Sequence, residues 1–82
     1  ASLTKDDFIL LLTRCSDDTL IFVLGDSLNQ SDIGNGWLAQ FAKNFDDQDA
    51  IDAGVIVSRL QDEDDIVRGQ FIKFALKRLG KL

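Results

Sequence analysis

Fourteen carboxylates, one thiol and a scatter of hydroxyls are the groups in this sequence that could do chemistry, and no histidine stands beside them. Without imidazole, the usual base for activating a serine or cysteine is missing, and so is the commonest zinc ligand. Ser27, next to Asp26, is then an ordinary hydroxyl. The lone cysteine, Cys15, cannot form an internal disulfide. It falls on the apolar side of a helical segment and reads as a small buried hydrophobe, and Asp17 and Asp18 nearby oppose formation of a thiolate. The acids gather as Asp46, Asp47, Asp49 and Asp52, and as Asp62, Glu63, Asp64 and Asp65. Adjacent carboxylates of this kind can hold Ca²⁺ or Mg²⁺. Read as a twelve-residue calcium loop from Asp46, however, the fifth position is Ala50 and the sixth is Ile51 where glycine is needed. The expectation is no catalytic residue, no metal site, no cofactor and a protein that is not an enzyme.

Helix capping accounts for most of the acids. Thirteen of the 14 are Asp, a mediocre residue inside a helix and a good one at its start. Thr4 with Asp7 reads as a helix start, and the helix it opens carries Phe8, Leu11, Leu12 and Cys15 on one side. Ser16-Asp17-Asp18 starts a second helix, continuing over residues 19–29. Residues 31–36 hold two glycines and an asparagine and read as a loop. Apolar residues at 37, 38, 41, 42 and 45 predict a third helix over residues 37–45. Asp46-Asp47 starts a fourth, with Ile51, Val55 and Leu60 facing inward. The cluster from Asp62 to Asp65 starts the last, which stops at Gly80 in the position after the cap. The five apolar residues 20–24 fit a buried strand as well as a helix that is hydrophobic all round. Helix is preferred, because a lone strand would have no pairing partner. The expected fold is all-α: a compact array of about five short helices forming a single domain over residues 1–82.

Charge is divided unevenly. Residues 1–65 carry all 14 acids and four bases, net −10, whereas residues 66–82 carry five bases and no acid. Acids at helix starts and bases at the last helix end both complement the helix dipole. A net charge of −5 steers association toward basic partners and disfavours nucleic acid, which would call for a larger basic field with interleaved aromatics. In the last helix, Val67, Phe71, Ile72, Phe74, Ala75, Leu76 and Leu79 spread over about 200°, roughly twice the arc a one-sided surface helix needs. Either that helix is central and covered on two sides, or part of its face is left for a partner. The candidate contact residues are Phe71, Phe74, Trp37 and Phe41, with Asp62, Asp64 and Asp65 as an acidic counterpart. No apolar stretch approaches the ~20 residues of a membrane span, and the N-terminus does not have the layout of a signal peptide. One free thiol favours a reducing, cytoplasmic setting.

Several short resemblances bear on function. Gly25-Asp26-Ser27-Leu28 resembles the nucleophile block of GDSL-type esterases, which would make Ser27 the nucleophile. That family also needs a histidine, and this chain has none. Gly34-Asn35-Gly36-Trp37-Leu38-Ala39 matches the G-x-G-x-x-A dinucleotide fingerprint but lacks a βαβ setting. Residues 50–80, through Arg59-Leu60-Gln61-Asp62, Val67-Arg68, Ala75 and Leu79, resemble one HEAT-type helical hairpin. Leu3-Thr4-Lys5, Asp7-Phe8, Leu12 and Arg14-Cys15 look like the opening of the Hha-type nucleoid-modulator family. Size, charge and a Thr-Phe-Leu opening are similar to small colicin-immunity proteins, whose tyrosine-rich binding segment has no counterpart here. The helical resemblances all imply a small protein that acts by contact. The expectation is a non-enzymatic interaction or regulatory module, binding a protein partner or a second copy of itself. The alternative is an acidic inhibitor or immunity-type protein that neutralises a basic enzyme.

Overall fold

The computed structural model describes residues 3–28 and 42–80. Four helices follow one another: α1 (Lys5–Arg14), α2 (Asp17–Leu28), α3 (Asp47–Gln61) and α4 (Asp65–Arg78). Each start is built by a side chain that accepts from an otherwise unsatisfied N–H of the first turn. The Thr4 hydroxyl accepts from the Asp7 N–H at 3.1 Å, and the Ser16 hydroxyl from the Thr19 N–H at 3.1 Å. Asp46 and Asp49 form a reciprocal capping box at the head of α3. The Asp64 carboxylate accepts from the Val67 N–H at 3.0 Å. At the other end of α4, Gly80 takes φ 75° and its N–H returns to the Lys77 carbonyl at 3.1 Å. The missing Cβ is what makes that left-handed turn cheap.

Helix α2 is the centre of the molecule. Residues 20–24 are helical, and Leu20, Val23 and Leu24 are buried with Thr19 at their head. Phe22, on the outer side of the run, remains 37% exposed. α3 packs along α2, α4 also contacts it, and α1 lies against α3. The core so formed joins Phe8, Leu11 and Cys15 to Leu20, Leu24, Ala53, Ile56, Leu60, Phe71 and Ala75. No strand occurs among the described residues, and no helix among them is long and apolar enough to cross a membrane.

The arrangement corrects two expectations. There are four helices among the described residues, not about five. Where a helix was expected over residues 37–45, the described part, 42–45, is non-helical and turns at Lys43-Asn44. The Asn44 N–H donates to the Asp18 carboxylate, and the Phe45 ring stacks on Phe22 with centroids 4.9 Å apart. Asp46 must then be extended (ψ −175°) to cap α3, which stops a helix from running through it. Residues 37–41, including Trp37 and Phe41, lie outside the described residues. Next, Ile51 and Val55 do not face inward; they are 59% and 37% exposed. The inward face of α3 is Asp49, Asp52, Ala53, Ile56 and Leu60, of which only Leu60 was expected. Of the two readings left open for α4, central or partly uncovered, the second fits: α2 holds the centre, and α4 buries only Phe71 and Ala75.

Candidate functional site

Two features stand out, one polar and one apolar. The polar one lies where α1 ends and α2 and α3 begin. Asp49, drawn inward on the first turn of α3, accepts hydrogen bonds from the Ser16 hydroxyl at 2.7 Å and the Thr19 hydroxyl at 3.1 Å. Its other oxygen accepts from the Asp46 N–H at 3.1 Å. The Ser16 bond above all, with the Asp46 N–H and Thr19 bonds, holds the Asp49 carboxyl below its ordinary value against the opposing effect of burial. One turn on, Asp52 is gripped by Arg14 through both guanidinium nitrogens at 3.3 and 3.4 Å, and by the Gln48 amide at 3.0 Å. Arg78 reaches from the end of α4 to the Leu12 and Cys15 carbonyls at the end of α1, and its Nε lies 3.5 Å from Asp17. It therefore satisfies carbonyls that the end of α1 would otherwise leave bare.

This junction brings a serine, a threonine and two carboxylates together, yet the geometry suits structure better than catalysis. Asp49 is held as an anion by three donors, which makes it a weak base for pulling a proton from Ser16. No buried side-chain nitrogen or oxygen among the described residues is without a partner. Cys15 is nearly fully buried, and burial raises its thiol above the ordinary value despite the opposing Arg78. A thiol held neutral in this way is a poor nucleophile. Among the described residues no group of three or more His, Cys, Asp or Glu is placed to hold a metal ion.

The apolar feature is a groove between α1 and α4, a cavity of about 400 Å³. Phe8 and Phe71 are buried and form its floor; Ile9, Leu12, Val67 and Phe74 rise beside them. Ile9 is 50% exposed and Phe74 40%. Arg59 closes one end: its guanidinium carbon lies 5.1 Å from the Phe8 ring centroid, and its nitrogens bond Glu63 at 2.8 Å and the Leu3 carbonyl at 2.6 Å. A larger hollow, about 790 Å³, runs along α3, but Ala50, Gly54 and Ser58 line it and no aromatic does.

The expected contact residues divide accordingly. Phe71 and Phe74 share the groove, Phe71 as buried floor and Phe74 as exposed wall. Asp62, Asp64 and Asp65 are exposed but lie apart from it. Asp64 is engaged in capping α4 and Asp65 in an ion pair with Arg68, whose guanidinium also bonds the Leu60 and Glu63 carbonyls. Sequence reasoning missed Ile9 as a wall of the groove. The signal was there, since residues 8–12 form an apolar run as long as residues 20–24, and a helix at the edge of a fold cannot bury every side of such a run. Compared with protein-family models, curated proteins and solved structures, the chain matches none.

Proposed function

We propose that this chain is a non-enzymatic, cytoplasmic protein–protein interaction module that takes an apolar segment of another protein into the α1–α4 groove. The observation that carries the reading is the open pairing of Ile9 and Phe74 over an aromatic floor. A few large side chains seated in a pocket carry most of the binding energy at interfaces. The Asp-rich turns support the alternative, an acidic inhibitor of a basic enzyme, less well. Asp46, Asp49, Asp52, Asp64 and Asp65 already serve caps, ion pairs or the junction.

Photo-crosslinking tests the reading directly. A photoreactive side chain at position 74, in the intact protein within its host, is expected to trap one discrete adduct that the same group at Gln61 does not trap. Equal labelling from both positions would remove the groove as the contact. An adduct with a second copy would identify a homodimer. For an acid-led inhibitor, affinity would fall steeply between low and physiological ionic strength, whereas apolar docking changes little.

A further inference from the structure

Helix α4 is attached to the rest of the fold differently at its two ends. At its start, Arg68 bonds the Leu60 and Glu63 carbonyls at the end of α3, so the first turn is tied to the helix before it. Gly69 follows at once. A Cβ added there would meet nothing within 4 Å, so packing does not call for glycine, and its freedom weakens a helix interior. Beyond Gly69, Phe71 and Ala75 are buried, and Ile72, Leu76 and Leu79 are half-buried against the core. α3, one residue longer, buries five side chains. Among the described residues, the polar bonds from this stretch to other helices all come from Arg78. Its guanidinium holds the Leu12 and Cys15 carbonyls and stands 3.5 Å from Asp17, with the Cys15 sulfur 4.0 Å away. α1 also buries only two residues, but it is tied to α3 near both ends, by Arg59 on the Leu3 carbonyl and by Arg14 on Asp52.

We propose that residues 70–80 form a flap that opens as a unit on a hinge at Gly69, with Arg78 as its latch. Few buried side chains and a single polar clasp are what let one part of a fold open while the remainder stays folded. Opening lifts Phe71 and Phe74 away from Phe8 and turns the α1–α4 groove from a slot into an open face. The open form keeps the Arg68 bonds and the ties between α1 and α3. It gives up the Arg78 bonds and the burial of Phe71. The flap is a property of the fold and does not depend on what occupies the groove.

Native-state hydrogen exchange on the full chain, in urea well below the unfolding midpoint, reads this amide by amide. Amides of residues 73–79 should exchange about tenfold faster than those of α2 and α3 or more, with a weaker dependence on urea, because a local opening exposes less surface. Arg78→Gln removes the latch and should speed these amides about tenfold, as charge-assisted bonds at a partly exposed site provide. Gly69→Ala stiffens the hinge and should slow them about two- to fivefold. Arg14→Ala breaks a tie that the open form keeps. It should therefore speed the α2 and α3 amides and leave residues 73–79 unchanged. Equal rates and equal urea slopes in α2, α3 and α4 of the wild type would overturn the flap. So would amides of residues 73–79 that follow Arg14→Ala as closely as the core does. Exchange there unmoved by Arg78→Gln would remove the latch, and unmoved by Gly69→Ala, the hinge.

Discussion

The polar junction at the end of α1 and the apolar groove beside α1 have opposite characters. At the junction every group that could do chemistry is satisfied from within: Ser16 and Thr19 by Asp49, Asp52 by Arg14 and Gln48, and the end of α1 by Arg78. At the groove the side chains are chemically inert, yet Ile9 and Phe74 remain open to solvent. A carboxylate beside a serine suggests catalysis, but here it fastens three helix ends together. The surface left unsatisfied is hydrophobic. On that contrast rests the proposal of a closed fold that works by contact.

The largest effect should separate floor from wall within the groove. Phe71 is 4% exposed and belongs to the core, so Phe71→Ala should cost about 3–5 kcal/mol, most of the stability of a small domain. Phe74 is 40% exposed, and Phe74→Ala should cost about 1 kcal/mol or less while weakening partner binding. Urea unfolding curves for the two variants, one turn apart on α4, measure the contrast directly. Similar midpoint shifts would mean that floor and wall are one core and that the groove is closed.

At the junction the informative change is Arg14→Ala. The Arg14 side chain is 60% exposed and that of Asp52 only 6%, so removing the arginine strands a buried carboxylate on Gln48 alone. We expect a loss of about 1–2 kcal/mol, kept modest because water screens the outer half of the pair. Asp52→Asn should cost less, and adding it to Arg14→Ala should recover part of the loss, since an amide tolerates burial without its ion partner. A double-mutant cycle by chemical denaturation reads the coupling. Additive effects would show that Arg14 and Asp52 do not depend on each other.

How far this division was legible in the sequence depends on how local each feature is. Thr4, Ser16, Asp46 and Asp64 cap helices through partners three residues away, so all four starts and the Gly80 stop could be read directly. The all-round apolarity of residues 20–24 fits a buried strand as well as a helix, and only the lack of a pairing partner favours the helix. The inward face of α3 was not legible. Asp49 and Asp52 find their partners 30 to 38 positions away, and no pattern within α3 announces that two carboxylates will turn inward while Ile51 and Val55 turn out. The wide apolar arc of α4 left two readings open, a central helix or a partly uncovered one. It could not show that α1 supplies the facing wall, because that wall is made by the fold.

A change of pH tests the junction alone. With the Asp49 carboxyl held below its ordinary value of about 3.9, ionised Asp49 stabilises the fold at any pH above that value. As pH falls below it, the unfolded chain takes up the proton first, and this stability drains away until the folded carboxyl is itself protonated. Asp49→Asn should be less stable than wild type at neutral pH, and the difference should shrink on acidification below about pH 4. Thermal melts from pH 7 to 2.5 follow it. A difference that stays constant with pH would mean that Asp49 contributes packing and no charge.

The smallest effect checks that the partner uses the groove and not the broader hollow on α3. Gly54 and Gly69 stand within helices, and a Cβ added at either would meet nothing within 4 Å. Replacing each with Ala should therefore raise stability by about 0.4–1 kcal/mol, since alanine restricts the unfolded chain and favours helix. Gly80→Ala should do the reverse, because φ 75° strains any side chain. Gly54 lies in the lining of the α3 hollow beside Ala50 and Ser58. If a partner packs there, the new methyl intrudes between two surfaces, and affinity falls even as stability rises. If the partner sits between α1 and α4, Gly54→Ala stabilises the fold and leaves partner affinity where it was, which is the outcome we expect. Melting temperature and partner affinity measured on the same variant decide between the two faces.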